Sequence, residues 1–210
     1  SDSLDLEAVR QAHARIAPYI HRTPIWTCST IDDLAQARIY FKCENLQKVG
    51  AFKIRGAVNT VFSLSEEQAA PGVVTHSSGN HAAALSLAAR LRGIPAYSVM
   101  PNNSAPVKQA SVGGYGGQIT LSEPGDQARE STADSVQKRT GATLVHPYND
   151  PRIIAGQGTV ALELLEQVEQ LDAILAPVGG GGLLSGILTA AKALRPDLLV
   201  IGCEPAEAAD

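Results

Sequence analysis

An α/β protein built on open parallel sheets covered by helices, with a small α/β domain inserted in a large one, is the fold class that the 210-residue sequence predicts. From Gly72 onward, short β-rich runs alternate with longer helical ones, and parallel strands need long crossovers of that kind. Glycines at 93 and 141 stop two of the helical runs. A break at 146–151 separates one alternating block from the next. This divides the chain into residues 1–71 (first part of the large domain), 72–150 (small domain) and 151–210 (second part of the large domain).

The elements follow in order. Leu6, Val9, Ile16 and Ile20 recur at helical steps and predict an amphipathic helix ended by Pro24. Residues 38–43 alternate Ile39, Phe41 and Cys43 with Tyr40 and Lys42, the pattern of a strand with one buried face, and a polar loop over 44–50 follows. Ile54, Ala57, Val58, Val61 and Phe62 define another helical face, which puts Lys53 at or just before a helix start. Strands at 73–75, 96–100, 118–121 and 142–145 then alternate with helices at 80–92, 105–112 and 126–139. Beyond the break come a helix at 158–168, a strand at 173–176, a helix at 183–194 and a strand at 198–202. The sequence stops at Asp210 soon after a strand with no helix to cover it, which predicts an incomplete large domain and a partial chain.

Composition narrows the function. Seventeen Lys and Arg against 21 Asp and Glu leave a net charge of −4, with no basic surplus for a phosphate backbone, so a nucleic-acid partner is not expected. No apolar run approaches the roughly 18 residues of a membrane span. Cys28, Cys43 and Cys203 are odd in number and far apart, which fits a reducing cytoplasm better than a disulfide framework.

Three stretches carry candidate chemistry. Pro177-Val178-Gly179-Gly180-Gly181-Gly182-Leu183 joins a strand to a helix, and glycines there let backbone N–H groups close on an anion at the positive end of the helix dipole. A flexible turn is the plainer reading. A Walker loop is excluded because Leu183 and Leu184 stand where Lys and Ser or Thr are required. Gly180, Gly182 and Gly186 give G-x-G-x-x-x-G, one residue longer than the dinucleotide fingerprint, yet Glu204 follows Gly182 by 22 residues, where a ribose-binding carboxylate would sit. A nucleotide-binding oxidoreductase fragment therefore stays open on this motif.

Lys53 lies in Ala51-Phe52-Lys53-Ile54-Arg55-Gly56-Ala57, flanked by apolar and small residues. Desolvation and a helix N-terminus both lower a lysine pKa and favour the neutral amine of a Schiff-base nucleophile. The bland alternative runs its stem along the core with its head in water. Thr75-His76-Ser77-Ser78-Gly79-Asn80-His81 offers hydroxyls, an amide and N–H groups at one helix start, suited either to a carboxylate ligand or to helix capping. His76 and His81 do not match H-E-x-x-H, so zinc is not expected.

The combination of "FKCENLQKVGAFKIRGA", "VVTHSSGNHAAAL", "HPYNDPRIIAGQGT", "VGGGGLLSG" and "EP" at 204 and 205 resembles the fold-type II pyridoxal-phosphate enzymes, of tryptophan synthase β-like architecture. Within them it resembles the serine racemase and serine/threonine dehydratase group that includes 3-hydroxyaspartate dehydratases. The resemblance implies a dehydratase or racemase of β-hydroxy amino acids, working through a lysine aldimine and a Cα carbanion. An inactive phosphate-binding or dimerising remnant is a further alternative.

Residue by residue, the resemblance makes Lys53 the lysine that carries pyridoxal phosphate and Phe52 its aromatic neighbour. It makes Asn80 the amide at the phenolic oxygen, and Gly179, Gly180, Gly181, Gly182 and Leu183 the phosphate loop. Ser77, Ser78, Asn80 and His81 match the substrate-carboxylate loop, with Ser78 also the acid/base on the face opposite Lys53. Arg129 matches an arginine near the substrate. Glu204 and Asp210, with the carbonyl of Ala208, match ligands of a divalent cation: magnesium, calcium or manganese. The family's serine facing the pyridine nitrogen falls beyond Asp210. Tyr148, where mammalian serine racemases carry Asn, inclines the resemblance toward dehydration. A homodimer acting on a small amino-acid substrate is implied as well.

Overall fold

A computed structural model describes residues 3–77 and 79–208. Its elements are α1 (Leu6–Ile16), β1 (Ile25–Trp26), α2 (Ser29–Ala35), β2 (Phe41–Lys42), α3 (Lys53–Ser63), α4 (Glu66–Ala69), β3 (Val73–Thr75), α5 (Asn80–Arg92), β4 (Ala96–Pro101), α6 (Pro106–Gly114), β5 (Gln118–Ser122), α7 (Asp126–Thr140), β6 (Thr143–Leu144), α8 (Pro151–Gln167), β7 (Ala173–Pro177), α9 (Gly182–Leu194) and β8 (Leu199–Cys203). Short 3-10 turns lie at Glu44–Leu46, Lys48–Gly50 and Ala206–Ala208.

The four-stranded sheet has the order β5-β4-β3-β6, with every pairing parallel. Successive side chains of a strand point to opposite faces. Val99 of β4 therefore joins Val74 on one face, packed by Ala133 and Val136 of α7, while Met100 meets Ala82 and Ala83 of α5 and Val112 of α6 on the other. A second parallel pair, β7-β8, packs against α9, with Ile174 and Ala176 of β7 sharing a core with Ile187 and Ala190 of α9. Gly93 and Gly141 end α5 and α7 with φ of +76° and +74°, the left-handed conformation that glycine adopts without a Cβ clash.

Helix α3 is almost wholly buried and lies between α5 and α8. Its crossing with α8 is close because glycines meet there: a Cβ on Gly156 would stand 2.5 Å from Gly56 Cα and 2.7 Å from Arg55 O. The α8–α9 crossing repeats the device, since a Cβ on Gly186 would stand 2.5 Å from Gly158 N. Inside these crossings the Arg55 guanidinium, fully buried, pairs with Glu44 at 2.7 Å and with Glu163 at 2.7 Å, and Glu163 also pairs with Lys42 at 2.6 Å.

That ion network corrects the sequence reading of 38–43. Only Phe41–Lys42 forms a strand, antiparallel to β1; Phe41 is 40 % exposed, while Lys42 turns inward to Glu163, Gln167 and the Thr23 carbonyl. Buried charge pairing there overrides the apolar alternation. Helix α1 ends at Ile16 rather than near Pro24, because Pro18 has no N–H to extend it. Helix α8 begins at Pro151, seven residues earlier than the 158 predicted, with Asp150 accepting from Arg152 N at its N-cap.

Candidate active site

The strand order fixes where a ligand can enter. Strands β3, β4 and β5 run outward in sequence on one side, and β6 returns to the other side of β3, so the connections diverge between β3 and β6. In open parallel sheets, binding crevices form beyond the carboxyl ends of the strands at such a point. The segments leaving those two ends are 76–81 and 146–149, and they meet: the His76 and His146 rings lie 5.3 Å apart, edge to face.

The Lys53 side chain joins them from the first residue of α3. Its Nζ donates to the Pro147 carbonyl at 2.8 Å and stands 5.3 Å from the centre of the Phe52 ring. Burial pushes its pKa down from the ordinary lysine value to about 8, because the ammonium loses water that little else replaces. The segment leading to it is held in an unusual backbone conformation: Val49, a β-branched residue, has φ +59°, followed by Gly50 at +69°.

The glycine run completes the enclosure. Tyr148 packs directly over Gly180, where a Cβ would clash with its ring, and a Cβ on Gly182 would stand 3.0 Å from the Tyr148 carbonyl. Gly179 and Gly181 face open space, Gly181 with φ +79° at the N-cap of α9. The first N–H groups of a helix have no intrahelical partner, and in α9 they point out of this glycine turn. An amine that gives up its proton more readily than an ordinary lysine, a turn kept open by glycines at 180 and 182 where a side chain would meet Tyr148, and unpaired helix N–H groups suit a phosphorylated aldehyde such as pyridoxal phosphate.

The remaining predicted residues fall as follows. Asn80 opens α5 and is exposed; the Ser77 Oγ lies 3.4 Å from Gly79 N. Ser78 lies outside the described residues. The His81 side chain is 2 % exposed, with Nε2 3.4 Å from the Val145 carbonyl and Nδ1 without a partner. Burial, with the charges of Lys53, His146 and His76 after it, lowers its pKa to about 3, so the ring stays neutral. What His81 offers at the mouth of α5 is its backbone N–H. Leu183 is half-buried in the first turn of α9. Arg129 sits on α7, paired with Asp126 one turn earlier, and its Nε is buried without a partner. Glu204 is exposed after β8 and the Ala208 backbone lies in the turn beyond it, whereas Asp210 lies outside the described residues.

Among the described residues no cluster of three His, Cys, Asp or Glu side chains could hold a metal ion, and no helix is long and apolar enough to cross a membrane. Sequence reasoning gave no role to His76, His146 or the Pro147 carbonyl. Their meeting depends on the pairing of β3 with β6, which no local pattern announces.

Comparison with known proteins agrees with this arrangement. The family of pyridoxal-phosphate dependent enzymes matches residues 16–210. Serine racemase of Arabidopsis thaliana is 54% identical over 206 residues, covering 98% of this chain and 62% of that protein. Beta-hydroxyaspartate dehydratase of Paracoccus denitrificans is 54% identical over 204 residues, covering 97% and 65%. The solved structure of maize serine racemase superposes with a TM-score of 0.95 at 52% identity, covering 96% of this chain and 61% of that one. The chain thus spans less than two thirds of the length of these relatives. The nucleotide-binding oxidoreductase reading falls away, and the extra residue before Gly186 gains a packing reason, the crossing with Gly158. Fold, glycine cradle and sequence likeness converge, and the chain belongs to the family of pyridoxal-phosphate dependent enzymes, with the fold-type II architecture of serine racemases.

Proposed function

We propose that the protein acts on β-hydroxy amino acids, serine, threonine or 3-hydroxyaspartate, as a pyridoxal-phosphate-dependent dehydratase, racemase or both. The observation that carries this reading is the Lys53 amine, desolvated and held on the Pro147 carbonyl where the segments leaving β3 and β6 converge, with Tyr148 of the same turn against the glycine loop. Relatives named serine racemase and beta-hydroxyaspartate dehydratase, each near half identical, support the substrate class.

Bound here, pyridoxal phosphate supplies an electron sink that acidifies the Cα–H of an attached amino acid. The chain supplies placement and proton transfer. Lys53 would attach the cofactor beside Phe52; Asn80 would bond its phenolic oxygen; Gly179, Gly180, Gly181, Gly182 and Leu183 would hold its phosphate on backbone N–H groups. Ser77, Ser78, Asn80 and the backbone of His81 receive the substrate carboxylate. Lys53, freed from the cofactor when the substrate amine takes its place, would accept the Cα proton as a neutral amine. Loss of the β-hydroxyl as water, followed by uptake of water, converts the amino acid into one keto acid and one ammonium. Ser78, returning a proton to the opposite face of Cα, would give the D-enantiomer instead. Arg129, with its unpartnered Nε, recognises a second carboxylate.

Residues 72–150 act as a small domain against the rest. In support, the four-stranded sheet and the core cluster around Val74, Val99 and Val136 lie wholly inside that span. A homodimer is the assembly expected, with Trp26, Ile31 and Leu34 as exposed apolar residues on β1 and α2. Three free cysteines fit a cytoplasmic setting. A divalent cation at Glu204, the Ala208 carbonyl and Asp210 completes the reading. The described residues supply the exposed Glu204 carboxylate and the Ala208 carbonyl, fewer oxygens than such an ion takes.

The test is direct. Purified protein with added pyridoxal phosphate is incubated with L-serine, L-threonine or L-3-hydroxyaspartate, and keto acid, ammonia and D-enantiomer are quantified. Keto acid or D-enantiomer from at least one substrate is expected. Bound cofactor with neither product would favour an inactive phosphate-binding or dimerising remnant.

A further inference from the structure

His146 has a second relationship besides its stack on His76. Its Nδ1 accepts two backbone N–H groups at once, Asn149 N at 2.9 Å and Tyr148 N at 3.3 Å, and its ring meets Tyr148 edge-on at 4.5 Å. A ring nitrogen that accepts carries no proton, so the neutral tautomer is fixed with hydrogen on Nε2. The turn it closes carries the Pro147 carbonyl that anchors Lys53, the Tyr148 ring over Gly180 and the Asp150 N-cap of α8.

We infer that His146 is a positioning residue: it clasps the 146–149 turn through Nδ1, and its protonation releases together the Lys53 anchor and the Tyr148 wall of the glycine cradle. The chemistry leaves little alternative, because an imidazolium has no acceptor and its new N–H would point at two other N–H groups. The surroundings bear on when this happens. Burial, His76 at the end of β3 and Lys53 on α3 disfavour the charged ring, while Glu130 on α7 and Asp150 favour it; the net effect lowers the His146 pKa. His81 on α5 also feels its charge. The clasp is therefore closed at neutral pH and opens as the medium becomes acid.

The significance rests on Lys53 being the attachment lysine, but the test separates the two ideas. First, ¹⁵N NMR of the cofactor-free chain at pH 8 should show His146 with Nδ1 unprotonated. Second, borohydride trapping of pyridoxal phosphate on the chain is measured against pH in the wild type, in His146→Asn, whose side-chain oxygen accepts without titrating, and in His146→Leu. The ratio of wild type to His146→Asn removes the lysine's own titration. It should stay near one above neutrality and fall about tenfold in step with the His146 NMR titration. His146→Leu should trap about tenfold less than His146→Asn at every pH.

A ratio that stays flat through the His146 titration, or a proton found on Nδ1, overturns the inference. So does a His146→Leu chain that traps like the wild type at pH 8. If that variant does not fold, the NMR tautomer and the His146→Asn ratio decide. Label on a lysine other than Lys53 would refute the attachment reading, while the tautomer and slow exchange of the Tyr148 and Asn149 amides would still judge the clasp.

Discussion

The Lys53 amine donates to the Pro147 carbonyl across 94 residues of sequence, joining the first turn of α3 to the segment that leaves β6. The bond holds a desolvated amine at a fixed place, and burial sets its pKa at about 8. Borohydride trapping of pyridoxal phosphate should therefore rise with pH about a midpoint near 8, not near the ordinary lysine value of 10.5. Because the pKa is lowered on folding, the unfolded chain binds more protons between those values, and stability should rise with pH there. In Lys53→Met that rise should shrink; denaturant titrations at pH 8 and pH 10 measure it, and an unchanged rise would contradict the assignment.

Glu163 accepts from both Arg55 and Lys42 in a nearly dry interior. Burial alone would raise its pKa, but the hydrogen bonds and charges of Arg55 and Lys42 reverse that and hold it below the ordinary 4.5. Glu163→Ala would leave two buried cations short of a partner and should cost about 3–5 kcal/mol in urea unfolding. With a depressed carboxyl pKa, the stabilisation is present above the unfolded value and lost as pH falls through the folded one. A cost under about 1 kcal/mol would show that water already reaches the network.

Two glycines should respond oppositely. Gly156→Ala drives a methyl into the α3 backbone and should cost about 1–3 kcal/mol, read as a lowered Tm. Gly179→Ala meets nothing within 4 Å, so its stability should change by less than about 0.5 kcal/mol, while retention of pyridoxal phosphate on dialysis falls. Unaltered retention would remove Gly179 from the phosphate cradle.

Substrate handling separates Ser78 from Arg129. Ser78→Ala should suppress racemisation and turnover of D-substrates by about 10²-fold or more, with dehydration of L-substrates reduced less. Arg129→Ala should lower kcat/KM for 3-hydroxyaspartate more than for serine. Chiral assays of both variants check this; equal losses across substrates would leave Arg129 a structural partner of Asp126.

Legibility in the sequence follows how local each determinant is. Helix α5 and strand β3 are read correctly to the residue, because an Ala-rich run stopped by Gly93 and a Val-Val-Thr strand need no distant partner. Helix α2 is seven residues long and buries none of them, too short a run to show a sustained helical period, while α4 is announced by the Ser65 and Gln68 capping box, a signal that periodicity alone overlooks. The start of α8 was legible in Asp150-Pro151. Gly156 and Gly158 disguise it, since glycines that admit another helix look like breakers until that helix is placed. Lys53 and the glycine loop stand out as local motifs. The His146 clasp does not, because it exists only once β6 lies beside β3.

The most direct measurement is mass mapping of the protein after pyridoxal phosphate is added and fixed with borohydride, in the wild type and in Lys53→Ala. The reading requires the reduced phosphopyridoxyl label on the peptide containing Lys53, and its loss, with the cofactor absorbance, in Lys53→Ala. Label on another lysine of the wild type, or undiminished label in Lys53→Ala, would contradict it.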